Sequence, residues 1–159
     1  MGLRSNATLL YGHIETRAER LEHMIKLREL QDETDGFLSF IPLAYQPGMT
    51  QVVERQISAI EDLKTIAVSR LMLDNFDHIK AYWVTAGEET ASVSLNYGAD
   101  DMDGTIMEER IMHAASAATP AGLTRERLIK LIREAGRVPA ERDALYNVVK
   151  TYETELVSV

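Results

Sequence analysis

The nine residues Thr8–Thr16, TLLYGHIET, constrain the fold more than any other stretch. Leu9-Leu10-Tyr11 is an apolar run of buried-strand length. Gly12 turns the chain, His13 and Glu15 follow, and a helix begins. Its start is marked twice: Thr16 can cap it, and Glu19 three residues on completes a capping box. Strand, polar turn and helix form the unit of an α/β protein. The turn falls at the carboxyl end of the strand, where such folds bind ligands.

The unit recurs along the chain. Leu21, Met24, Ile25 and Leu27 give a helical stripe over Arg17–Gln31, and DETDG ends it with a left-handed stop at Gly36. Phe37–Tyr45, FLSFIPLAY, reads as a second strand, with regular pairing ending near Pro42, which has no N–H to give. Val52–Ile60 reads as a loop, with or without a short helix. A helix is expected over Glu61–Leu73, a third strand over Ile79–Thr85, and a helix over Glu88–Asn96 stopped at Tyr97-Gly98. Ala99–Thr105, ADDMDGT, is a short strand or turn rich in carboxylates. Helices follow from Ile106 to about Ala115 and from the Thr124 cap to Ala135, then a tail with a helical section. Strands that alternate with helices predict a parallel sheet. Two architectures satisfy that: an open doubly wound sheet, or about four β/α units of a (β/α)8 barrel, which takes about 250 residues. No glycine-rich phosphate loop follows any of the strands.

Composition excludes whole classes of function. A net charge of -8 over 159 residues argues against nucleic-acid and anionic-membrane surfaces and for a soluble, cytoplasmic protein. There is no cysteine, so disulfides, thiolate catalysis and cysteine-held metals are excluded within this chain. No apolar run is long enough to span a bilayer. MGLRSNATLL lacks the apolar core of a signal peptide and opens almost directly on a strand, so a segment upstream is expected.

Candidate site residues sit at the strand ends. His13 can bond a substrate, orient Glu15, or serve as a structural histidine. Tyr82 and Trp83 alternate on the third strand, so one of them points inward, with Tyr82 and Val84 on one face. Asp100, Asp101 and Asp103 do not make a calcium loop, because Ala99 and Arg110 stand where ligands are required. Asp103 or Thr105 can instead reach a ribose or substrate oxygen, with Gly104 allowing close approach, while Asp101 can serve an ion pair. Glu108 and Glu109 occupy a first helical turn, where carboxylates gain from the helix dipole. Tyr45 and Gln46 are rim residues. His23, His78 and His113 read as surface or helix-face residues.

Thr8–Glu15 fits the pattern G-x-I-x-G-x-x-E, with Thr8 at the first position and Leu10 at the third. It resembles the fifth-strand motif of radical S-adenosylmethionine enzymes, whose strand end packs on the cofactor adenine. LRELQDETDGFLSFIPLAYQP, LKTIAVSRLMLDNFDHIKAYWV, NYGADDMDGTIMEERIMHAA and LIREAGRVPAERDALY extend the resemblance over nearly the whole chain. They resemble the radical S-adenosylmethionine enzymes of the futalosine route to menaquinone and their deazaflavin-forming relatives. HIKAYW and DDMDGTIMEERIMH are most similar to the aminofutalosine synthase branch; the alternatives are a cyclic dehypoxanthine futalosine synthase or deazaflavin-cofactor synthase fragment, or a non-catalytic half-barrel subunit that docks on a separate partner. The resemblance implies half of a (β/α)8 barrel, strands five to eight, plus a helical C-terminal tail. It implies a cofactor contact at Leu10, Gly12 and Glu15, and a substrate contact at His13, Tyr82, Asp103 and Thr105. In the full family enzyme S-adenosylmethionine and a four-iron four-sulfur cluster act together, and a 5′-deoxyadenosyl radical adds to 3-[(1-carboxyvinyl)oxy]benzoate. The three cysteines that hold the cluster are missing here. The resemblance therefore implies a single carboxyl-terminal domain without its cluster-binding half, inactive alone and retaining at most weak adenosyl binding. Its expected partner is the missing half or a second copy of the chain, which would cover an open barrel interior.

Overall fold

A computed structural model of the chain describes residues 2–48, 52–104 and 122–153. Thr105, Glu108, Glu109, His113 and the helix expected from Ile106 lie outside the described residues.

Strand β1 (Ser5–Tyr11) is followed by helix α1 (Arg17–Thr34), strand β2 (Phe37–Ala44) and helix α2 (Ala59–Met72). Then come β3 (His78–Ile79), two short helices α3 (Trp83–Ala86) and α4 (Glu88–Ser94), α5 (Arg125–Glu134), and the hairpin strands β4 (Ala140–Arg142) and β5 (Val148–Thr151). β1, β2 and β3 pair side by side in that order, all parallel. Lys80 extends the sheet by one isolated parallel bridge to Asp101, so the carboxylate-rich stretch meets the sheet at a single pairing and not as a full strand. The fold class is thus mixed α/β with a small parallel sheet.

Local chemistry explains the element ends. Thr16 and Glu19 form the expected capping box. α1 runs three residues beyond Gln31, and its left-handed stop is Asp35, at φ 46°, rather than Gly36. Ser58 caps α2 and Thr124 caps α5 through their side-chain oxygens. Pairing does not end at Pro42, since β2 continues to Ala44 against Tyr11. Lys80 donates its N–H to the Phe40 carbonyl, so Phe40, Pro42 and Ala44 direct their backbone toward β3. Pro42 therefore turns its missing donor to the side where the β3 ladder has already stopped.

The third strand is shorter than the sequence predicts. Tyr82 is the N-cap of α3, and Trp83 and Val84 are both fully buried in that helical turn. Period-two alternation therefore does not apply beyond Ala81. The tail likewise is not helical among its described residues. Ala140–Arg142 and Val148–Thr151 pair antiparallel, with Asp143 bonding the turn amides of Leu145 and Asn147.

The sheet has two unlike faces. Ala7, Leu9, Tyr11, Phe40, Ala44, Ile79 and Ala81 are buried in the core beneath the helices with Met24, Ile66, Leu73 and Phe76. Asn6, Thr8 and Leu10 of β1 lie opposite Ser39, Ile41 and Leu43 of β2 on the other face. His78, Lys80, Asp101 and Asp103 continue that face by register and alternation.

Candidate functional site

The strand ends gather at one side of the sheet, beginning with the turn after β1. Gly12 has φ +87°, a conformation side chains disfavour, and a Cβ there would stand 2.7 Å from Ile57 Cγ2. Glu15 folds back beneath this turn. Its Oε1 accepts the Gly12 N–H at 2.6 Å and Arg20 Nε–H at 2.6 Å; its Oε2 accepts the His13 N–H at 2.9 Å. His13 Nδ1 is 3.1 Å from the same Oε2. Burial raises the Glu15 pKa, but the two amide bonds and Arg20 outweigh it and hold the carboxyl below its ordinary range. Both oxygens are thus engaged in shaping the turn. The His13 ring meets Tyr45 edge-on at 5.6 Å, and Leu10 leaves much of its side chain exposed on the open face beside it.

Beneath this turn lies a buried acid. Tyr11 donates its hydroxyl to Asp62 Oδ1 at 2.7 Å, with Arg20 over the Tyr11 ring. Burial pushes the Asp62 carboxyl up to about 6, against the pull of the Tyr11 hydroxyl and Arg20. Burial, then the Asp62 charge, push the Tyr11 phenol above its usual value.

The second cluster lies across the open face. Lys80, only 9% exposed in its side chain, donates to Asp103 Oδ1 at 2.8 Å and stands 3.9 Å from Asp101 Oδ2. Asp103 has φ +62°, a strained setting for a side-chain-bearing residue. Its N–H is taken by Asp101 Oδ1 at 3.2 Å. Asp101 Oδ2 accepts from Arg142 and from the Tyr146 hydroxyl. Tyr146 stacks on His78 at 3.8 Å, and Arg142 lies over the Tyr146 ring. The hairpin therefore seals the amino-terminal end of the open face, while Asp103 and Lys80 stand above it. Arg70 and His78 share Asp100, the outer member of the acidic run.

The proposed site residues divide into two groups. Leu10, Gly12, His13 and Glu15 form one strand-end turn, and Asp103 stands across the sheet from them with Lys80. Tyr82 caps α3 at the end of β3. Thr105 lies outside the described residues. Lys80, Arg142 and Tyr146 are additions to the sequence reading. A lysine at an alternating position within IKAYW carried a signal for the first; nothing local in the tail points to the other two. Among the described residues no cluster of three or more metal-ligating side chains occurs, and no helix is long and apolar enough to cross a membrane. A groove of about 880 Å³ runs along the Ala99–Gly104 stretch, bordered by Arg125, Arg137 and Arg142.

The model of the CofH/MqnC C-terminal region matches residues 34–155, from β2 through the hairpin. The chain belongs to this family. It is 53% identical over 158 residues to the aminodeoxyfutalosine synthase of Thermus thermophilus, covering 96% of this chain and 42% of that protein. It is 44% identical over 147 residues to the cyclic dehypoxanthine futalosine synthase of Streptomyces coelicolor, covering 92% and 36%. It is 41% identical over 157 residues to 5-amino-6-(D-ribitylamino)uracil–L-tyrosine 4-hydroxyphenyl transferase 1 of Methanosarcina acetivorans, covering 94% and 42%. The chain thus spans less than half the length of the curated relatives it matches. The family match takes in Lys80, Asp101, Asp103, Arg142 and Tyr146. The Gly12 turn falls ahead of it, within the stretch shared with the Thermus protein.

Proposed function

We propose that this chain is the carboxyl-terminal half of a (β/α)8 barrel and acts as part of a radical S-adenosylmethionine aminodeoxyfutalosine synthase. The 53% identity to the Thermus enzyme across 96% of the chain carries this reading, ahead of the 44% shared with the cyclic dehypoxanthine branch. The parallel β/α order agrees with it.

The iron–sulfur cluster does not fit this chain, because the sequence has no cysteine to hold it. The chain alone is therefore expected to be silent. The partner we propose is an amino-terminal segment that brings the cysteine ligands and closes the barrel.

The adenosyl group fits better. Leu10 offers an exposed apolar surface on the open face, beside the turn that Gly12 shapes and Glu15 fixes. In this reading Leu10 packs on adenine, and Glu15 acts through the turn it holds. His13, Tyr82, Asp103 and Thr105 contact the substrate. Lys80 aims the Asp103 carboxylate through their ion pair, and the hairpin excludes water from below.

The test is to combine the chain with the amino-terminal part of the Thermus synthase, load cluster and S-adenosylmethionine without oxygen, and supply 3-[(1-carboxyvinyl)oxy]benzoate. Consumption of the enol ether is expected. A folded, cluster-loaded complex that consumes cyclic or deazaflavin precursors instead moves the chain to another branch.

A further inference from the structure

The outer edge of β1 bears on what this sheet pairs with. Tyr45 donates its N–H to the Tyr11 carbonyl, and Ser5 donates to the Gly36 carbonyl. Ser5, Ala7, Leu9 and Tyr11 therefore direct their backbone groups at β2. By alternation Asn6, Thr8 and Leu10 direct theirs outward, to the side where no described strand lies. Six outward groups on a parallel edge are an open template for another strand.

One of the six is occupied by a side chain. His23 Nε2 lies 3.0 Å from the Thr8 carbonyl oxygen. A carbonyl only accepts, so Nε2 carries the proton and donates. This is the bond an incoming strand would make with its amide. The position of His23 on α1 explains the contact. Met24 and Gln31 are buried against the sheet, while Arg28 and Asp32 reach Asp74 and Asn75 toward α2. His23 lies on the opposite flank from Asp32, over the free edge of β1.

We propose that His23 is an edge guard, whose ring stands in at the Thr8 carbonyl for the amide of a neighbouring parallel strand and swings out when that strand docks. The occupant is a strand from the segment that precedes this region in the longer relatives. Those relatives carry more than half their length outside the match, and the matching family model is that of a C-terminal region. The strand is parallel because every pairing in the main sheet is parallel. Leu3 and Ile14, which precede and follow β1 in the chain, are exposed and offer apolar surface to such a strand. The inference rests on the half-barrel reading above.

The experiment follows amide exchange and the His23 ring by NMR in the isolated chain, then after adding the purified amino-terminal part of the Thermus synthase. In the isolated chain the ring should be the Nε2-protonated form, and the Thr8 and Leu10 amides should exchange far faster than that of Leu9. On docking, those two amides should slow by about 100-fold or more and the His23 ring should leave the carbonyl. A complex in which they stay fast, or no complex at all, overturns the proposal. His23→Ala should raise self-association of the isolated chain while binding the segment at least as well. His23→Gln, which keeps a donor, should restore the wild-type association. Equal self-association of wild type and His23→Ala also overturns it. Docking with these signatures but no turnover of the enol ether supports the guard and counts against the catalytic reading alone.

Discussion

Gly12 and Glu15 form one device at the end of β1. The left-handed glycine presents two consecutive amides, and one carboxylate takes both. Gly12→Ala combines a disfavoured φ with a Cβ placed against Ile57, and should cost about 1–3 kcal/mol in urea unfolding. Glu15 is held below the usual glutamate range, so its contribution is present above about pH 4.5 and is lost as pH falls beneath that value. Asp62 has the opposite sign. Its carboxyl is raised to about 6, so between about pH 4 and 6 the folded protein keeps a proton the unfolded chain releases, and stability falls as pH rises through that window. Asp62→Asn should flatten this decline by about 1–2 kcal/mol while leaving the loss below pH 4.5 in place. Unfolding curves from about pH 3 to 7 separate the two groups, and a single monotonic trend would refute the assignment. The turn at Gly12 and Glu15 was legible in the sequence, because its bonds join residues within three positions. Asp62 was not, because its partner Tyr11 comes from another element.

Elements with local signals came through nearly as written. The Thr16 and Thr124 caps start α1 and α5 where the sequence places them, and Thr16→Ala should cost about 1 kcal/mol. The departures have physical causes. Apolar, bulky IKAYWV reads as a strand, yet after Lys80 the chain turns into α3, because burying Trp83 and Val84 outweighs β propensity there. The tail becomes a hairpin because Arg142 and Tyr146 find the half-buried Asp101 carboxylate, distant in sequence. Asp101→Ala should therefore cost about 2–4 kcal/mol, leaving Arg142 and Lys80 short of a partner. Limited proteolysis would then cut first at the Asp143–Asn147 turn. Tyr146→Phe removes one bond to Asp101 and should cost about 1 kcal/mol. If both variants resist protease as wild type does, the hairpin is not anchored through Asp101.

At the scale of the molecule the open face matters most. It is not a bare apolar surface: its lower part is filled by Lys80, Asp101, Arg142 and Tyr146, and His23 covers part of its β1 edge. If the amino-terminal segment is the partner, then at about 100 times its dissociation constant it should raise stability by about 2.7 kcal/mol. Thermal unfolding with and without the segment measures this. The sequence by itself determined the alternating β/α order, the helix caps, the Gly12 turn and, through its likeness to a family, the chemistry to look for. All of these rest on interactions between near neighbours or on motifs read in line. Tertiary structure alone decided that Tyr11 meets Asp62, that the third strand stops at Lys80, and that the tail seals the sheet from below. Those outcomes depend on residues as far apart as Asp101 and Tyr146 or Thr8 and His23. Their energies are set by burial and by which charges meet, and no local pattern carries that information.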